Sequence, residues 1–159
     1  MLLYILRHAE AEAVITSDRD RKLTPRGDKQ AACIGQFCLE HELIPGVVLT
    51  SPVVRARETA RNVVTVLKNV ELFEVPWMAC GMSPEVALHE IKTYLTFESV
   101  MIVGHEPDLS HLIAVLLGLD HAQALAVSKA SLTALELKKL APGAGVLKFF
   151  IPCRLAEKK

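Results

Sequence analysis

Across 159 residues, 18 lysines and arginines balance 18 aspartates and glutamates, and hydrophobic residues make up 51% of the chain. That balance excludes a global electrostatic pull on nucleic acid or on an anionic membrane, so attraction for any anion has to come from a local pocket. The apolar content excludes a disordered chain, the length points to one domain spanning 1–159, and no apolar run reaches the roughly 18 residues of a membrane helix.

The first apolar run, LLYIL (2–6), reads as a strand that ends on Arg7 and His8. Thr24 and Pro25 supply a cap and a first-turn proline for a helix with Ala31, Ile34, Cys38 and Leu39 on its apolar face, ending before Pro45-Gly46. A second strand, VVLTS (47–51), leads past Ser51-Pro52 into a helix carrying Ala56, Ala60, Val63, Val64 and Leu67 at helical spacing. The weaker strand VELFEV (70–75) precedes a helix expected over 84–96 from Val86, Ile91 and Leu95. VMIVGH (100–105) is another strand, and Leu109, Leu112, Ile113, Leu116 and Leu117 mark a helix after Pro107 that Gly118 stops. ASLTALEL (130–137) and KFFIP (148–152) bring the expected strands to about six.

Alternating strands and helices indicate an α/β domain, with helices on both faces of a mixed sheet. In such sheets the ligand sits outside the carboxyl ends of parallel strands. Those ends carry Arg7-His8, Ser51-Pro52 followed by Arg55, and Gly104-His105. Two arginines and two histidines on one rim make an anion pocket suited to phosphate, because guanidinium forks match phosphate oxygens and stay charged. An imidazole there can also attack a held phosphoryl group in line, which needs no metal.

Four blocks occur in order over most of the chain: LRHAEAE, RKLTPRG, SPVVRARETA and VGHEPDLSHL. Together they resemble the histidine phosphatase superfamily, and the short length with the RHAEA form is most similar to its smallest branch, the SixA-type phosphohistidine phosphatases. The resemblance implies a phosphoglycerate mutase-like three-layer α/β/α sandwich with a mixed central sheet. It implies that His8 is the phosphorylated nucleophile, that Arg7 and Arg55 bind the transferred phosphoryl group, and that His105 steadies its charge in the transition state. It further implies a phosphatase without metal or other cofactor.

Departures from the superfamily pattern narrow the chemistry. Where the widespread first block reads Arg-His-Gly-Glu-Thr, this chain has Ala9 and Ala11, which removes a hydroxyl contact to phosphate. Larger members carry an insertion holding a carboxylic acid that protonates the leaving oxygen. Here only a modest loop, 77–84, is available, and Glu85 is the nearest candidate acid, although a glutamate is expected at a helix start anyway. Glu10 is a candidate for substrate binding or for orienting an arginine or imidazole, with Glu12 a weaker one. Without an acid, the favoured substrate is one whose leaving group departs readily, and a phosphoramidate such as phosphohistidine qualifies better than an alkyl phosphate.

Blander readings cover the remaining residues. His41, His89, His111 and His121 are structural, Arg57 is surface charge, and Arg21, Lys22 and Arg26 form a solvated basic loop. Cys33, Cys38, Cys80 and Cys153 show no CxxC spacing and read as buried free thiols in a cytoplasmic protein. No cysteine is followed by five residues and an arginine, no HExxH or GxxxxGK[ST] motif occurs, and Asp18-Arg19-Asp20 lies in a polar stretch rather than at a strand end. The expected function is dephosphorylation of a phosphohistidine on a protein such as a phosphotransfer domain. The alternatives are a phosphomonoesterase acting on a small phosphorylated substrate and a binding module that captures phosphorylated partners without turnover. A mutase is disfavoured by the short chain.

Overall fold

The computed structural model describes residues 1–13 and 17–157. Its sheet has six strands: β1 (Leu2–Arg7), β2 (Val47–Thr50), β3 (Glu71–Glu74), β4 (Ser99–Gly104), β5 (Leu132–Leu137) and β6 (Gly145–Ile151). The spatial order is β3-β2-β4-β1-β5-β6, with β1 to β4 parallel and β5 antiparallel to both of its neighbours. The helices are α1 (Pro25–Glu40), α2 (Val54–Leu67), α3 (Pro84–Ile91), α4 (Asp108–Leu117) and the short α5 (Cys153–Ala156). This is the mixed sheet with helices on both faces expected from the alternation of apolar runs.

Alternate strand residues feed the two faces, because successive side chains of a strand point oppositely. Tyr4, Leu6, Val48, Met101 and Val103 pack on Ala31, Ile34 and Cys38 of α1, on Ala56, Ala60 and Val63 of α2, and on Cys153. On the other face Leu3, Ile5, Leu49, Val100 and Ile102 meet Leu88 and Ile91 of α3 and Leu109, Leu112, Ile113 and Leu116 of α4. Each such buried branched side chain contributes about 1.5–3 kcal/mol relative to exposure.

Helix ends follow the local signals. Thr24 accepts the Gly27 N–H at 3.0 Å as the α1 cap, and Gly118 adopts φ 68° to close α4. The helix expected over 84–96 is shorter, giving way after Ile91 to one tight turn, Lys92–Tyr94. Its buried face is Ala87, Leu88 and Ile91, while Val86 and Leu95 are exposed and supply no packing that would extend it. Strand β6 begins earlier than expected because its pairing with β5 continues to Gly145 opposite Leu137.

Among the described residues no helix is long and apolar enough to cross a membrane.

The loop after β1 folds onto α1 at Gly27, where a Cβ would lie 2.0 Å from the Glu10 carbonyl oxygen. Gly27→Ala should therefore force apart the start of α1 and the segment that follows His8. Urea unfolding is expected to show a loss of about 1–3 kcal/mol, the usual range for overpacking, and an unchanged midpoint would contradict this close approach.

Candidate active site

Parallel pairing of β1 with β4 sets Arg7 beside Gly104, and the His8 N–H donates to the Gly104 carbonyl at 3.0 Å. His8 and His105 thus leave the ends of adjacent strands as neighbours, with ring centroids 5.3 Å apart. Strand β2 lies on the far side of β4, and the Ser51 N–H donates to the Val103 carbonyl at 3.0 Å. That places Ser51 beside His105 and starts α2 so that Arg55, in its first turn, reaches His8.

The protonation pattern of His8 follows from its partners. Its Nδ1 lies 2.8 Å from the Ala9 carbonyl, and since a carbonyl only accepts, Nδ1 carries the proton. Nε2 then holds a lone pair and accepts the Arg55 Nε–H at 3.2 Å. Burial, reinforced by His105, Arg55 and Arg7 and opposed by the Ala9 hydrogen bond, pushes the His8 pKa down to about 3. At neutral pH His8 is therefore an uncharged imidazole with Nε2 available as a nucleophile.

His105 has the complementary arrangement. Ser51 Oγ accepts the Val53 N–H at 3.2 Å and lies 2.8 Å from His105 Nε2, a hydrogen bond in which the hydroxyl donates or accepts according to the ring's tautomer. Burial, with Arg55 and Arg7 adding to it and Asp18 opposing, lowers the His105 pKa to about 4. In the tautomer in which Ser51 donates, the ring carries its proton on Nδ1, which is buried and has no hydrogen-bond partner among the described residues. Ser51 was legible as a strand end and as part of the SPVVRARETA block, and its contact with His105 appears with the fold.

The arginines differ in their commitments. Arg7 donates from one terminal nitrogen to the Val127 carbonyl at 2.7 Å, while its buried Nε has no partner among the described residues. Burial lowers its pKa, Glu106 offsets part of that, and Arg55 adds to the lowering. Arg55 is 5% exposed and fully engaged: one terminal nitrogen donates to the Asp18 carbonyl oxygen at 2.7 Å, the other to the Asp18 carboxylate at 3.1 Å and to Cys80 Sγ at 3.6 Å. Thr59 ties the two halves together, accepting the Ala9 N–H at 3.0 Å and donating to the Arg55 carbonyl at 2.7 Å.

Several expectations need correction. Glu10 does not face this cluster: it accepts from the Thr24 hydroxyl at 2.8 Å and pairs with Arg26 at 3.6 Å, so it secures the start of α1. Glu85 is exposed on the first turn of α3, where its own N–H and the Ser83 hydroxyl hold its carboxyl below the usual range, the opposite of what a general acid needs. Arg21 pairs with Asp18 at 2.9 Å and donates to the Glu12 carbonyl, both at exposed positions. Of the four cysteines only Cys38 and Cys153 are buried; Cys33 is half-buried and Cys80 exposed. Asp108, absent from the sequence reading, accepts the Gly81 and Met82 N–H groups at 2.8 and 3.2 Å and holds the Cys80 loop at the site.

Among the described residues no three His, Cys, Asp or Glu side chains gather in a way that would hold a metal ion.

The cluster is a set of cationic forks around two neutral imidazoles at the carboxyl edge of a parallel sheet, an arrangement for phosphoryl chemistry, and the comparisons agree. Residues 3–76 match the model of the histidine phosphatase superfamily, branch 1. A phosphohistidine phosphatase SixA homolog from Haemophilus influenzae is 36% identical over 132 residues, covering 74% of this chain and 78% of its own. The chain belongs to the histidine phosphatase superfamily and is a phosphatase. Within that superfamily it falls with the SixA-type phosphohistidine phosphatases. The fold of the protein histidine phosphatase SixA, solved with tungstate, superposes with a TM-score of 0.89 at 19% identity, covering 99% of this chain and all of that one. The alpha-ribazole phosphatase of Shigella flexneri shares the fold at a TM-score of 0.76 and 19% identity, over 94% of this chain and 96% of its own.

Two measurements test this geometry. An unfolded histidine binds a proton near pH 6.5, whereas buried His8 resists it down to about 3, so the unfolded state gains the proton first and stability falls as pH drops below 6.5. Between pH 7.5 and 5 this one group should cost about 2 kcal/mol, a penalty that His8→Asn abolishes, as paired urea titrations of both proteins would reveal. Ser51→Ala should lower kcat/KM about tenfold by freeing the His105 tautomer while leaving the fold intact; full activity would contradict the assignment.

Proposed function

We propose that the protein hydrolyses phosphohistidine through a covalent phosphoryl-enzyme intermediate on His8. The observation that carries this reading is the His8 imidazole itself, with its Nδ1 proton fixed on the Ala9 carbonyl, its Nε2 lone pair directed at Arg55, and a pKa of about 3 that keeps it neutral. Nε2 attacks phosphorus in line, the bond from phosphorus to the substrate imidazole breaks, and the departing ring carries its electron pair away with a proton on its other nitrogen. Water then attacks the phosphorus on His8, releasing inorganic phosphate and restoring the neutral imidazole. Arg7 and Arg55 hold the phosphoryl oxygens in both steps, and the His105 Nδ1–H donates to the oxygen that gains charge.

The acid side of the site favours a phosphoramidate. Neither Glu10 nor Glu85 is placed or poised to protonate a leaving alkoxide. The Asp18 carboxyl is held below the ordinary carboxylate range by its hydrogen bond from Arg21, with Arg55 adding to that. An imidazole leaving group needs no such donor, because its second nitrogen is itself basic near neutral pH. The substrate we infer is a phosphohistidine on a protein domain, in the cytoplasm, where the exposed thiol of Cys80 would stay reduced.

The test is phosphate release from a phosphohistidine peptide and from an alkyl phosphate, measured side by side in a chelator with wild type and His8→Ala. The reading predicts preference for the phosphoramidate and a loss of about a thousandfold or more in the variant. Faster turnover of the alkyl ester would reassign the substrate to a small phosphomonoester, and phosphate binding without release from either donor would favour a capture module.

A further inference from the structure

Asp18 comes from a polar stretch with no catalytic motif, yet it reaches Arg55 across 37 positions of sequence. Both terminal nitrogens of Arg55 are committed to it, one to its main-chain oxygen at 2.7 Å and the other to its carboxylate at 3.1 Å. The same carboxylate has a second partner on its other oxygen, Arg21, at 2.9 Å. Arg55 is nearly buried, with its side chain 6% exposed, whereas the Asp18 side chain is 51% exposed. Of this pair, the aspartate is therefore the one with room to move.

We infer that Asp18 is a positioning residue that acts as a built-in competitor for the oxyanion: its carboxylate occupies one arm of the Arg55 fork and is retained by Arg21 when a phosphoryl oxygen takes its place. The inference rests on the assignment of Arg55 to the phosphoryl group. A carboxylate oxygen and a phosphoryl oxygen seek the same terminal N–H group, so they compete for that arm of the fork. Two anions side by side also repel strongly in a partly desolvated pocket. The arrangement keeps Arg55 pointed at His8 Nε2, which it contacts through Nε at 3.2 Å. It also weakens retention of inorganic phosphate, so that product leaves and the exchange with Arg21 sets the apparent affinity for every phosphorylated ligand.

The structural alternative, in which Asp18 merely braces Arg55, predicts the opposite sign. If Asp18 were only a brace, removing it would weaken phosphate binding. If it competes, Asp18→Asn and Asp18→Ala should bind inorganic phosphate about tenfold more tightly than wild type by titration calorimetry. In turnover the same variants should show a lowered KM with kcat level or reduced by slow product release. Arg21→Gln should weaken phosphate binding in the wild-type background and change it little in the Asp18→Asn background, because Arg21 acts through Asp18. Unchanged or weaker binding in both Asp18 variants would overturn the inference while leaving the phosphatase reading intact. Should wild type and variants alike fail to bind phosphate, the assignment of Arg55 falls, and this inference with it.

Discussion

The hydrogen bond from the His8 N–H to the Gly104 carbonyl, at 3.0 Å, is the contact on which the site depends. It is the last rung of the parallel ladder between β1 and β4, in register from Leu2 opposite Ser99 to Arg7 opposite Gly104. A slip of one residue would turn every side chain of β1 to the opposite face and carry His8 away from His105. The fully buried residues Leu3, Ile5 and Leu6 resist that slip, since they pack into opposite layers and cannot exchange places without exposing apolar surface. Precision at the site is thus inherited from the two cores of the sheet.

That inheritance has an electrostatic cost. Two imidazoles buried beside two guanidiniums are held neutral well below the pH at which free histidine protonates, and the protein forgoes protonation that its unfolded chain would accept. The benefit is chemical. A cationic His8 would have no lone pair to offer phosphorus, and a cationic His105 would have no free acceptor for the Ser51 hydroxyl. The low pKa values and the hydrogen bonds of the two rings are two consequences of one burial.

Much of this was legible in sequence, and the reason is local. Apolar runs that end abruptly on Arg7-His8, Ser51-Pro52 and Gly104-His105 mark strand ends, and strand ends in a parallel sheet converge on one edge. The carboxylates were not legible, because what they touch depends on distant loops. Glu10, next but one to His8, spends its charge on the start of α1, and Asp18, 37 positions from Arg55, returns over it with no local signal. Ser51 is similar, since its bond to His105 spans 54 positions and exists only because β2 and β4 are neighbours. Glu85, the candidate acid nearest the short loop, lies at the helix start the sequence suggests, where its own N–H and the Ser83 hydroxyl lower its pKa.

The central claim is that His8 Nε2 carries the phosphoryl group between substrate and water. Rapid acid-free quenching of a single turnover with a phosphohistidine peptide, followed by mass mapping of the peptide spanning His8, tests it directly. The account predicts a transient increase equal to one phosphoryl group on His8, formed before phosphate release and absent in His8→Asn. Phosphate released at full rate without that intermediate, in wild type or in the variant, would contradict it.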